Sequence, residues 1–262
     1  GSLAIISMEN RRLFREALEK HKMEEELDIA REIQRNLLPQ KFPSLSNFDI
    51  AAVNVSSKQV GGDYYDIIEL DENDCVVAIA DVSGKGVPAS LMMANMQAFL
   101  QVICRQNIPL DIATGLINDL ISKNTTDGRF ITFFWGTLNN LDKTFEYVNA
   151  GHNPPLLIRD GKIIKLEIGG MILGVMKTLM QYRSEKIQLM KDDVIVMFTD
   201  GISEAMNKKG EEFSDAALEK LSLESVGDTS ENIMKKIQSE VQKFTDGANQ
   251  SDDITLVVIK VK

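Results

Sequence analysis

Four short segments carry most of the side chains able to do chemistry: Gly61-Gly62-Asp63-Tyr64-Tyr65-Asp66, Ala80-Asp81-Val82-Ser83-Gly84-Lys85-Gly86, Phe198-Thr199-Asp200-Gly201 and Ser251-Asp252-Asp253-Ile254-Thr255. In each, an aspartate stands where an apolar run meets a turn. Strand ends are rigid and their loops converge, and the neighbouring glycines let backbone approach a ligand closely. Taken singly, each Asp-Gly pair is a turn former. Brought together, the carboxylates would repel and raise one another's pKa unless cations neutralised them. Oxygen donors of this kind suit Mg2+ or Mn2+. Zinc does not fit, because the chain has two histidines and two cysteines and none stands in zinc-type spacing. Two cations sharing a water would supply a hydroxide-like nucleophile near neutral pH and stabilise charge on a phosphoryl group.

Other reactive side chains have two readings each. His152, in Ala150-Gly151-His152-Asn153-Pro154-Pro155, is either a general acid for a departing serine oxygen or the hydrogen-bonded anchor of a Gly/Pro turn. Met92, Met93 and Met96 have helical spacing, which serves core packing or the reception of a regulatory helix. Cys75 and Cys104 sit in apolar segments and read as small buried hydrophobes, consistent with reducing conditions.

The elements that must position these groups follow from periodicity and breakers. From about Met8 to Leu38 there is neither glycine nor proline, and apolar residues recur among charged ones, so the spacing predicts one long helix ended by Pro39. Met23, Leu27, Ala30 and Leu37 follow the four-three spacing of a short coiled coil, broken by Gln34. The helix is therefore a dimerising or signalling stalk, or else it lies on its own domain. After Pro43 come short strands: Phe48–Val55, Tyr65–Leu70, Cys75–Ala80, Phe130–Leu138, Phe145–Val148, Leu156–Arg159, Lys162–Leu166, Arg183–Leu189, Val194–Thr199 and Ile254–Val261. Asp160-Gly161 marks a hairpin. Helices are expected at Pro88–Arg105, Leu110–Ser122 and Ser230–Phe244. Hairpin-linked strands with inserted helices indicate an α+β domain of mainly antiparallel sheets.

A chain of 262 residues can build a large core without disulfides. Its net charge of −10 argues against nucleic acid as the main partner. No apolar run reaches the roughly 18 residues of a membrane span, and Leu3 to Ile6 is too short for the core of a signal peptide, so a cytoplasmic location is expected. Gly1-Ser2 reads as the remnant of a cleaved tag, which implies a longer native protein with a sensor domain ahead of the helix.

In this order and separation, GGDYYD, ADVSGKGVPASL, NAGHNPP, FTDGISEA and SDDITLVV resemble the metal-dependent PPM (protein phosphatase 2C-like) phosphatases. The resemblance is nearest to their bacterial stage II sporulation protein E and RsbU-like branch. It runs from about Ile33 to Lys262 and includes the approach segment IQRNLLP. It implies a four-layer α-β-β-α sandwich of two antiparallel sheets flanked by helices, as residues 43–262, preceded by the N-terminal helix of residues 1–42. It also implies two divalent cations, Mn2+ or Mg2+. Asp63 would help hold the pair, Asp81 would bridge both ions, the Val82 carbonyl would complete one site, and Asp200 and Asp252 would bind the other side. Asp66 and Asp253 would be supporting groups or ligands of a further ion. The implied substrate is phosphoserine or phosphothreonine on a regulatory protein, an anti-sigma-factor antagonist of the STAS type. The chain departs from the eukaryotic pattern at one point, since no arginine accompanies GGDYYD. Phosphate recognition would then rest on the metals and backbone amides, or on Lys85. The competing classes are an inactive dimerising module and a phosphomonoesterase for small molecules.

Overall fold

Alternating apolar residues on strands buried from both sides generate the layers. The structure, a computed structural model, describes residues 2–125 and 128–262, with side chains from residue 7 onward; Gly1 of the tag remnant lies outside it. One sheet is ordered β2 (Tyr64–Glu69), β3 (Asp74–Val82), β4 (Ile131–Asn139), β5 (Thr144–Ala150) and β8 (Gly169–Gly170), with β9 (Glu185–Gln188) also pairing with β5. The other is ordered β1 (Phe48–Val55), β11 (Ile254–Val261), β10 (Val194–Phe198), β6 (Leu156–Arg159) and β7 (Lys162–Lys165). All named pairings are antiparallel except the two-residue contact of β5 with β8.

Cys75, Val77 and Ile79 of β3 meet Ile195, Met197, Val257 and Ile259 between the sheets. The alternate residues Val76, Ala78 and Ala80 face α2 (Val87–Ile103) and α3 (Leu110–Asn124), against Met93, Met96, Leu100 and Ile117. On the far side Val194, Val196, Leu256 and Val258 pack on α5 (Asp215–Glu224) and α6 (Ser230–Thr245) through Leu218, Ile233 and Ile237. The order is helices, sheet, sheet, helices, as the resemblance implied. Two-sided burial is also why these strands read as unbroken apolar runs. Met93 and Met96 are fully buried and Met92 packs at the edge of the same cluster, so the methionine stretch is core.

Several boundaries move. β3 does not stop at Ala80: Asp81 and Val82 pair with Thr132 and Ile131, so the site residues belong to the strand. Two helices were not expected from the sequence, the single turn α4 (Asp200–Ser203) and α5. Their apolar repeats are too short for periodicity to register, although Ser214 caps α5 by accepting a hydrogen bond from the Ala217 amide. The Asp160-Gly161 turn does join β6 to β7, with φ of 50° and 70°, a pair of values suited to a tight hairpin.

The N-terminal helix α1 covers Ser2–Leu37 and is about 54 Å long. Every residue from Ser7 to Glu26 is exposed, while Leu27, Ala30, Gln34 and Leu37 are half-buried. That four-three stripe faces the chain's own domain, with Leu37 on the cluster beneath α2. Gln34, which interrupts the coiled-coil pattern, donates from Nε2 to the Gly61 carbonyl at 2.7 Å and accepts from the Gly61 amide at 3.0 Å. No helix of the described residues is long and apolar enough to cross a membrane.

Candidate metal centre

The site lies where one end of each sheet faces the other. Asp63 immediately precedes β2, Asp81 is the penultimate residue of β3, Asp200 opens α4 just beyond β10, and Asp252 lies in the loop that enters β11. The strand ends place the acids, and close backbone contacts fix the loops. A Cβ on Gly62 would come within 2.9 Å of the Val82 carbonyl oxygen, and one on Gly201 would collide with the Asp253 carbonyl. Glycine at these two positions is what lets the loops close on one another.

Asp63 is almost fully buried. Its Oδ2 accepts from the Thr199 hydroxyl at 2.7 Å and from the Thr255 hydroxyl at 2.6 Å. Even so, burial and then the Asp81 charge push its pKa well above the usual carboxylate range. Asp81 is raised to about 7, chiefly by burial and then by the charges of Asp200 and Asp252, while a hydrogen bond with Asp63 acts the other way. Neighbouring carboxylates of this kind repel one another in the absence of a cation. Asp200 is raised as well, by burial and by Asp252. Asp252 is half-buried and is engaged by Lys85, whose Nζ lies 2.7 Å from its Oδ2 and 2.6 Å from the Ser251 carbonyl.

Four carboxylates from four segments, three of them raised in pKa by burial and then by one another's charge, are the set that a hard divalent cation would complete. The fit is one of chemistry rather than of a finished cage. Among the described residues, no three His, Cys, Asp or Glu side chains close up tightly enough to hold an ion as they stand. A lysine ammonium occupies the outer carboxylate instead.

Not every expected residue joins this cluster. Asp66 turns to the helix side, where it accepts from the Tyr64 hydroxyl, the Gln101 amide and the Ile67 N–H at 2.7, 2.8 and 2.8 Å. It ties β2 to α2. Asp253 is beside the cluster, but its carboxylate is committed: Oδ1 accepts from the Ser57 N–H and hydroxyl, and Oδ2 from the Gly62 N–H, at 2.7 to 2.9 Å. His152 is 4% exposed. Its Nδ1 accepts from the Thr132 hydroxyl at 2.9 Å and its Nε2 donates to the Phe198 carbonyl at 3.1 Å. Burial lowers its pKa to about 4. With both nitrogens occupied and the ring neutral, His152 ties β4 to β10 and has no proton to hand to a leaving group.

Sequence reasoning missed Thr199, Thr255 and Ser57, which orient the acids. Their signal was faint but present, since Thr199 and Thr255 sit one and three residues from Asp200 and Asp252, each at the end of a strand with no exposed face.

Residues 71–262 match the stage II sporulation protein E (SpoIIE) family. Phosphoserine phosphatase RsbU of Bacillus subtilis is 31% identical over 246 residues, covering 93% of this chain and 72% of that protein. The chain spans less than two thirds of the other curated relatives considered, 41% of protein IcfG of Synechocystis among them. Among solved structures, the SiaA-PP2C domain of Pseudomonas aeruginosa superposes with a TM-score of 0.81 at 18% identity, covering 93% of this chain and 98% of that one. RsbX in complex with magnesium does so at 0.64 and 16% identity, covering 85% and 99%. At those identities the superpositions speak for a shared fold.

Proposed function

The chain belongs to the stage II sporulation protein E family of PP2C-like phosphatases, and from that premise we propose that it hydrolyses phosphoserine or phosphothreonine on a regulatory protein, an anti-sigma-factor antagonist of the STAS type. The observation that carries the reading is the convergence of Asp63, Asp81, Asp200 and Asp252 at facing strand ends, close enough for their charges to act on one another. In this reading the four carboxylates and the Val82 carbonyl hold two divalent cations, Mn2+ or Mg2+. When bound, such a pair lowers the pKa of water at the site and neutralises phosphoryl oxygens.

The chain's own groups do the rest. Thr199 and Thr255 hold the Asp63 carboxylate in place, and Gly62 keeps the Val82 carbonyl against the loop. Asp253 braces the Gly61-Gly62 loop through Ser57 and Gly62 instead of ligating. Lys85, now 2.7 Å from Asp252 Oδ2, would be freed by a cation held at that oxygen and would then stand beside the phosphate. The chain divides functionally into an N-terminal segment, residues 1–42, which links to a sensor and sets activity through dimer geometry, and a catalytic body, residues 43–262.

The test is release of phosphate from phosphorylated STAS proteins by the purified chain, with Mn2+ and with chelator. Asp81→Asn should lower kcat by about a hundredfold or more, since it strips charge from the centre of the site. Turnover that survives chelation, or is untouched by Asp81→Asn, would rule the reading out. Hydrolysis of small phosphate esters alone would identify a phosphomonoesterase.

A further inference from the structure

Beside the acidic cluster lies a cavity of about 420 Å³ between α4, α6 and the loop that enters β11. Two of its wall residues, Gly201 and Ser251, are the chain neighbours of Asp200 and Asp252. Its floor is Ile202, Ile237, Val241 and Ile254, and its rim carries Gln238, Gln242 and Asn249. Among the described residues that line it none is charged, although 26% of the chain is. A ligand that reaches from the acidic loops into this uncharged cavity would have to be divided in the same way, charged at one end and neutral at the other. The wall is also held in place, because the Gln250 amide donates to the Val55 carbonyl at 2.8 Å and to the Asp252 carbonyl at 2.7 Å.

We propose that this cavity is the specificity subsite of the phosphatase: it receives an apolar side chain of the phosphoprotein next to the phosphorylated serine or threonine, while the rim amides bond the peptide backbone. The proposal rests on the phosphatase reading and deepens it. The occupant follows from the lining. An apolar floor gains by removing apolar surface from water, and neutral amides pair with peptide N–H and C=O groups without demanding charge. A charged residue in the same place would lose its hydration with no partner to replace it. The volume lies within the range of ligand-binding clefts and exceeds what one side chain fills, so a short stretch of backbone enters with it. Gly201 and Ser251 of its wall adjoin Asp200 and Asp252 in the chain, so the fit of the flanking side chain is coupled to the place of the phosphate.

The experiment compares kcat/KM on phosphoserine peptides flanked by leucine, by aspartate or by lysine, with an aryl phosphate as a substrate that has no flank. The wild-type chain with Mn2+ should prefer the leucine peptide by about tenfold or more, the scale on which apolar pockets discriminate. Ala248→Trp, which fills the cavity from its half-buried wall, should cut the leucine peptide by about tenfold through KM and leave the aryl phosphate unchanged. Should Ala248→Trp also lose the aryl phosphate, its fold is damaged and the exposed rim variant Gln242→Glu decides, by moving the preference toward the lysine peptide. Equal turnover of the three peptides, or a Gln242→Glu preference identical to wild type, overturns the subsite but not the phosphatase. Failure on every phosphopeptide, with the aryl phosphate still hydrolysed, overturns the phosphatase reading and the subsite with it.

Discussion

If Asp63 holds a metal as proposed, its surroundings show how much of such a site consists of groups that never touch the ion. Two threonine hydroxyls aim at one oxygen, and the Asn54 amide in turn donates to Thr255 at 2.8 Å. Hydrogen bonds to a charged group contribute roughly 1.5–3 kcal/mol each. Thr255→Val should therefore raise the Mn2+ concentration for half-maximal activity by about tenfold or more at unchanged fold. A manganese titration showing less than a twofold change would refute it. Lys85 works in the opposite sense. It must leave Asp252 before an ion can use that oxygen, and a partly exposed pair of this sort is worth up to about 1 kcal/mol. Lys85→Met is expected to lower the half-saturating Mn2+ concentration by up to about fivefold. If it instead raises KM for phosphorylated substrate with metal binding unchanged, the lysine acts only on phosphate.

At the scale of elements, the two sheets are joined near the site by one neutral ring. His152 sits between Thr132 of β4 and the Phe198 carbonyl of β10, and its pKa is depressed to about 4. The unfolded chain, with an ordinary histidine near 6.5, takes up a proton first as pH falls. The ring's contribution, on the order of 3 kcal/mol, is therefore complete above pH 6.5 and is lost progressively down to about 4. Urea midpoints of the wild type should fall across that window, and His152→Asn should remove much of the slope. A parallel pair of curves would discount the ring. The same region shows what was legible beforehand. Asp63, Asp81, Asp200 and Asp252 could be found because an aspartate after an apolar run is a local pattern. The post of His152 could not, because its partners are 20 and 46 residues away and come from different sheets. Asp253 was read with Asp252 because the two are adjacent, and only the fold shows that Ser57 and Gly62 donate to its carboxylate. The strands were legible in outline because their faces are apolar; α4 and α5 were not, being too short to carry a period.

For the whole molecule the open question is the long helix. Its last turns are seated on the catalytic body and touch the Gly61 loop through Gln34, while Ser7 to Glu26 stand clear with Met8, Phe14 and Met23 64% to 73% exposed. An isolated helical stretch of this length has nothing of its own domain to pack on and is expected to find a second helix. Sedimentation of the full chain should show a concentration-dependent dimer, and a version starting at Glu32, which keeps Gln34 and Leu37, should be a monomer with altered turnover. Identical mass and rate in the two forms would dismiss the stalk. The closure of the second sheet has a different consequence. β11 lies between β1 and β10, so Val55 pairs with Ile254 and Phe48 with Val261, about two hundred residues along the chain. During synthesis the first strand must wait for the last, and pairings of such long range fold slowly. Asp252 arrives with that strand. A nascent chain therefore cannot trap metal ahead of time, and the removal of a few C-terminal residues would silence the enzyme by opening the middle of a sheet rather than by trimming its edge.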